Sequence, residues 1–185
     1  MPVKEIETFY PASRQEWRRW LKANHAKKQS VNLIMYKKES NMPTISWSEA
    51  VDEALCFGWI DSTRRPLENE KFKQLFSRRK PGSTWSKINK EKVKQLIEKG
   101  LMTKAGLDCI ERAKRNGSWT ILDDVEELLI PKDLEKAFKL RPGSKKHFLS
   151  LSKSVRKFYL AQLVLAKRPE TRAKRIETIV NLAGS

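Results

Sequence analysis

The sequence predicts an α+β protein, with a small antiparallel sheet packed by helices and followed by a basic helical C-terminal region. Three observations lead there. Two Ser-x-x-Glu capping patterns, Ser13 with Glu16 and Ser46 with Glu49, each open a helical stripe. Between and after them stand short runs of strand character, Val31 to Tyr36 and the alternating Phe72, Gln74 and Phe76. Beyond Pro81-Gly82 the apolar spacing is helical to the end. Residues 1–125 are expected to form the α+β core, and residues 126–185 a helical region packed on or beside it.

Trp17, Trp20, Leu21 and Asn24 recur at spacings of three and four, which puts both indoles on one core-facing stripe. Ala50, Val51, Ala54 and Leu55 form the second stripe, after which Cys56 to Ser62 is expected to change period and become a strand, with Gly58 at a bulge or close contact. Glu68-Asn69 supplies turn chemistry, so residues 56–78 are read as a hairpin. Ser86 or Asn89 caps a helix through Val93, Leu96 and Ile97 that stops at Gly100, and Thr103 caps another through Leu107, Ile110 and Ala113 that stops at Asn116-Gly117. The acidic stretch Ile121 to Ile130 is read as a connection. Three tail helices are then expected: one on Leu134, Ala137 and Phe138; one on Val155, Phe158, Tyr159, Leu163 and Ala166; and one from Pro169 carrying Ile176, Ile179 and Val180.

A formal charge of +17 over 185 residues is unevenly placed. Residues 64–94 carry +8 and residues 131–185 carry +10, against +1 for 1–63 and −2 for 95–130. Such clustering is the electrostatic footprint of a polyanion partner, competing with plain solubility as its reason. No run reaches the roughly 18 apolar residues of a membrane span. Met1 to Glu5 does not open a secretory leader, and Cys56 and Cys109 sit in apolar contexts suited to buried thiols, so a cytoplasmic location is expected.

Catalytic templates are missing. His25 and His147 have no Cys or acidic residues at metal-ligand spacing, and no glycine-rich phosphate loop occurs, so no metal and no cofactor are expected. Asp52, Glu53 and Asp61 read as caps or ion-pair partners rather than acid–base groups. The chemistry concentrates elsewhere. Arg78, Arg79, Lys80, Ser83, Trp85, Ser86 and Lys87 set cations, hydroxyls and an indole before a helix N-terminus, a candidate anion site. Trp59, Asp61, Arg64 and Arg65 are candidates for a pocket, although hairpin geometry separates Arg64-Arg65 from the Arg78-Arg79-Lys80 end. Lys153, Arg156, Lys157, Lys167, Arg168, Arg172 and Arg175 form a basic tail suited either to a nucleic-acid backbone or to solvated helix faces.

The succession Glu53-Ala54-Leu55-Cys56-Phe57-Gly58-Trp59-Ile60-Asp61, Phe76-Ser77-Arg78-Arg79, Ser83-Thr84-Trp85-Ser86-Lys87-Ile88-Asn89, Gly100-Leu101-Met102-Thr103-Lys104-Ala105-Gly106 and Gly117-Ser118-Trp119 resembles the bacterial YdeI/OmpD-associated family. Ala166-Lys167-Arg168-Pro169-Glu170-Thr171-Arg172 and Arg175-Ile176 extend the resemblance, which runs from Phe9 to Leu182. The family's name links it to bacteriocin protection and to association with an outer-membrane porin; the resemblance implies no reaction, cofactor or catalytic residue. The expectation is a non-enzymatic bacterial cytoplasmic protein of stress or bacteriocin tolerance that binds an anionic partner such as nucleic acid. The alternative is a small-ligand receptor or enzyme with a carboxylate- or phosphate-binding pocket near Trp59 and Trp85. A third reading is a protein partner taken up by the tail helices.

Overall fold

The computed structural model describes residues 6–182; the Met1–Glu5 stretch read for a leader lies outside them. Helix α1 (Arg14–Asn24) starts where the Ser13 hydroxyl accepts from the Glu16 N–H at 3.3 Å. The Glu16 carboxylate reaches one residue further back than a capping box requires, accepting from the Ala12 N–H at 2.8 Å. Ser46 and Glu49 close the reciprocal box in full at the start of α2 (Trp47–Cys56), and its hydrogen bonds with Ser46 hold the Glu49 carboxyl below its usual range.

The sheet comprises β1 (Thr8–Phe9), β2 (Ser30–Tyr36), β3 (Trp59–Pro66) and β4 (Lys71–Arg78) in the order β1-β2-β4-β3. The β2–β4 and β4–β3 pairs are antiparallel, whereas the two-residue β1, too short to carry a period, adds parallel to β2. The hairpin is present with a shifted start: Cys56 completes the buried stripe of α2, Gly58 turns the chain at φ +72°, and the strand begins at Trp59. Phe72, Gln74 and Phe76 face inward along β4 as the alternation predicts. Trp17 packs on Trp20 at 5.2 Å and on Phe76 at 5.4 Å, and Trp59 meets Trp20 edge-on at 5.8 Å. This aromatic cluster centres the core of the sheet unit.

Helix α3 spans Lys87–Glu98, and α4 spans Lys104–Arg115 with Thr103 as its cap. Glycine motifs explain how α4 meets the end of α2. The Cys56 carbonyl accepts both the Thr103 N–H (3.1 Å) and the Thr103 hydroxyl (2.6 Å), drawing the backbones together. A Cβ on Gly106 would stand 2.4 Å from that carbonyl oxygen, and one on Gly58 would stand 3.1 Å from the Ala105 carbonyl. Gly58 and Gly106 therefore serve packing at this junction. Burial raises the pKa of the Cys56 thiol, which lies at this junction.

A second compact unit comprises Thr84–Lys87 and the chain from Trp119 onward; the first comprises the chain up to Ser83 together with Ile88–Ser118. The acidic stretch forms a one-turn helix, α5 (Asp123–Glu126), followed by α6 (Lys132–Leu140), α7 (Ser144–Ser150), α8 (Lys153–Val164) and α9 (Pro169–Asn181). Four tail helices thus replace the three expected: α7 escapes pattern reading because Phe148 is its one buried large apolar residue. Val125, Leu134, Phe138, Phe148, Leu160, Leu163, Ile179 and Val180 form the core of this unit. In α8 the buried stripe runs through Leu160 and Leu163, leaving Val155 and Phe158, two of the residues whose spacing marks this helix, exposed at 39% and 59%. Among the described residues no helix is long and apolar enough to cross a membrane.

Candidate functional site

The hairpin of β3 and β4 is irregular at one place, and that irregularity builds a site. Asp61 pairs with Phe76 and Arg64 with Gln74, so two residues, Ser62 and Thr63, oppose Leu75 alone. Regular pairing would set Arg64 opposite Lys73. The bulge carries it instead to the register of inward-facing Gln74, and its guanidinium lies 3.6 Å from the centre of the Phe72 ring. Gln74 is itself 2% exposed, and its amide donates to the Ser62 carbonyl within the bulge (3.0 Å) and to Asp61 Oδ2 (3.4 Å). The same carboxylate oxygen accepts the indole N–H of Trp47 at 2.9 Å.

Trp47 and Arg64 line a groove of about 500 Å³, with Tyr36, Ile45 and Phe72 among its other walls. Of the four residues expected at a pocket, Arg64 lines this groove and Asp61 holds its tryptophan wall. Arg65 stands across the ladder from Lys73. Trp59 is core, 1% exposed, with its indole N–H donated to the His25 carbonyl at 3.3 Å. Trp47 and Gln74 were not singled out as site residues from sequence; the available signal was an apolar residue directly after a capping serine, at a position facing away from the Ala50–Leu55 stripe.

Among the described residues, Arg64, Arg65, Lys71, Lys73, Arg78 and Lys80 form no ion pair with a carboxylate. Lys71 lies 5.8 Å from the centre of the Tyr36 ring, and Arg65 and Lys73 are like charges directly opposite, an arrangement that costs stability.

The candidate anion stretch separates into parts. Arg78 and Lys80 are exposed, but Arg79 is buried, and desolvation lowers its pKa to about 10. Its backbone N–H donates to the Gly58 carbonyl at 3.0 Å. Ser83 and Ser86 are half-buried, and Trp85 is 1% exposed with its ring 4.9 Å from that of Trp119. The first residue of α3, Lys87, already meets an anion of the chain itself: its backbone N–H donates to Glu126 Oε1 (3.3 Å) and its ammonium lies 3.4 Å from Glu127.

The basic tail divides in the same way. Lys157 pairs with Glu126, and Arg172 grips Asp133 at 2.6 and 3.0 Å while donating to the Leu163 carbonyl at 2.7 Å. Arg175 donates to the Gln162 carbonyl. Arg172 and Arg175 pin the end of α8, where unpaired carbonyls attract cations. Arg156 is half-buried, and Lys153, Lys167 and Arg168 are exposed.

Lys157 and Arg172, respectively, hold the Glu126 and Asp133 carboxyls below their usual range. Their ionised forms therefore favour the folded state. That contribution is complete above the ordinary carboxylate range near pH 4 and is lost as pH falls through the lower folded-state values. Asp133→Asn should accordingly lower the melting temperature at neutral pH and flatten its decline on acidification. An unchanged acid slope would show that the pair contributes nothing.

A second charged cluster surrounds Glu53, which is 2% exposed and takes Arg14 Nε and Arg18 Nη1 at 2.6 Å each. Arg18 also donates to the Leu101 carbonyl (2.8 Å), and Lys92 pairs with Asp52 at 2.6 Å beside a cavity of about 170 Å³. Asp52 and Glu53 are ion-pair partners, as their sequence setting predicts. Among the described residues no three His, Cys, Asp or Glu side chains gather at metal-binding distance.

Two family models match the chain. A domain of unknown function, DUF8412, covers residues 9–109, and the family described as Bacteriocin-protection, YdeI or OmpD-Associated covers residues 127–184. Neither the curated proteins nor the solved structures gave a match.

Proposed function

The chain belongs to the DUF8412 family and carries a bacteriocin-protection, YdeI or OmpD-associated domain, and on that footing we propose that it acts without catalysis, by binding an anionic polymer such as nucleic acid through its β3–β4 hairpin. One observation carries this reading: Arg65 opposes Lys73 across the ladder, and among the described residues neither forms an ion pair with a carboxylate. Protection of a sheet edge by charge accounts for Arg64 and Arg65 on β3. It does not account for Lys71 and Lys73, since β4 is an interior strand. A partner bearing closely spaced negative charges turns the repulsion into attraction and releases counterions. Bacteriocin or stress tolerance in the cytoplasm is the setting this reading adopts.

Binding should weaken steeply with salt, and Lys71→Gln with Lys73→Gln should reduce the slope of log K against log salt by about 0.7 to 0.9 per lost phosphate contact. Arg79 is left intact in this test because it is buried. Undetectable binding at about 50 mM salt, where such contacts are strongest, refutes the proposal.

A further inference from the structure

Resting on the reading of the hairpin as a polyanion contact, we propose that the groove beside it receives an unpaired base, making single-stranded nucleic acid the preferred partner. Its volume of about 500 Å³ lies in the range of small-ligand sites. Two of the flat groups that line it, Trp47 and Arg64, are exposed. Trp47 is 47% exposed at the first turn of α2, yet its orientation is fixed by the Asp61 carboxylate. Arg64 rests one face on Phe72 and, being exposed, leaves the other open. Indole and guanidinium planes are the surfaces on which proteins stack single-stranded bases.

Charge selects a base over a phosphate for the groove itself. Lys37 and Arg64 there are matched by Glu39 and Glu49, so the lining is balanced and suits a neutral ring. Glu49 is engaged by Ser46, whereas Glu39 forms no ion pair among the described residues and can accept from exocyclic amino groups. Lys71, 5.8 Å from the ring of Tyr36 at the groove wall, is the cation placed to meet a phosphate flanking such a base, while Arg65 and Lys73 stand on the other face of the hairpin, where the nucleic-acid strand can continue. The bulge joins these functions. Without it, Arg64 would stand opposite Lys73 instead of lining the groove, and Gln74, a buried polar side chain in an interior strand, holds it in place. A duplex keeps its base faces stacked and cannot offer one without extrusion.

The test compares three labelled ligands of about 12 nucleotides by fluorescence anisotropy at low salt: an oligodeoxyadenylate, an abasic oligomer of equal charge, and a duplex. The oligodeoxyadenylate should bind the intact protein about tenfold more tightly than the abasic oligomer, the equivalent of one stacked base. Trp47→Ala should abolish that preference while leaving abasic affinity unchanged; Trp47→Phe, which keeps a ring, should retain most of it. Lys71→Gln should weaken both single-stranded ligands alike. Equal binding of the abasic oligomer, or duplex binding as tight as the oligodeoxyadenylate, overturns the base pocket and leaves the polyanion reading standing. If no ligand binds, both fall.

Discussion

Alanine at Gly106 is expected to destabilise the protein by about 3 kcal/mol, lowering the melting temperature by roughly 10 °C. Helix propensity alone predicts the opposite sign, because alanine is favoured over glycine in a helix, by at most about 1 kcal/mol at this first-turn position. Sterics decide the outcome. The new Cβ would lie 2.7 Å from the Met102 methyl, which can swing aside, and 2.4 Å from the Cys56 carbonyl oxygen, which cannot. That oxygen is fixed by the Thr103 N–H and hydroxyl, so relief requires α4 to separate from α2 and give up both bonds. A thermal melt followed by circular dichroism checks this; a neutral or stabilising Gly106→Ala would show that the junction is loose.

Glu53→Gln should cost about 2 to 3 kcal/mol, read as a shift in denaturant midpoint. The buried carboxylate is the counter-charge of both Arg14 and Arg18, and an amide can accept from one guanidinium but neutralise neither. About a third of each arginine side chain remains in water, which moderates the loss below that of a fully buried pair. Glu98→Gln, at a charge with no ion pair among the described residues, serves as the control and should change little. A midpoint for Glu53→Gln indistinguishable from this control would remove Glu53 from the forces that hold α1 to α2.

Local chemistry was legible and register was not. Ser13, Ser46 and Thr103 cap where hydroxyl spacing predicts, and the inward face of β4 follows its alternation. The Cys56–Trp59 boundary moved because an apolar run fits the end of a helix as readily as the start of a strand. Arg78, Arg79 and Lys80 are alike in type, yet the alternation of β4 would bury Arg78; the strand ends there, the period breaks, and Arg79 turns inward. The groove was hidden for a related reason. Asp61, Arg64 and Gln74 come together through a bulge that depends on a cross-strand partner, and no window along the chain contains that information. The tail cations were resolved only by the carbonyls and carboxylates that fold back to meet Lys157, Arg172 and Arg175.

Trp85 has a consequence for anyone dissecting this gene. The C-terminal family match starts at residue 127, but the compact unit containing it also includes Thr84–Lys87, four residues encoded far upstream. A truncation beginning at residue 119 would deprive Trp119 of the Trp85 ring packed against it and Glu126 of the Lys87 amide, and so would not isolate a natural module. Transplanting the tail into another protein therefore calls for a graft of both pieces, joined by a linker in place of the intervening residues.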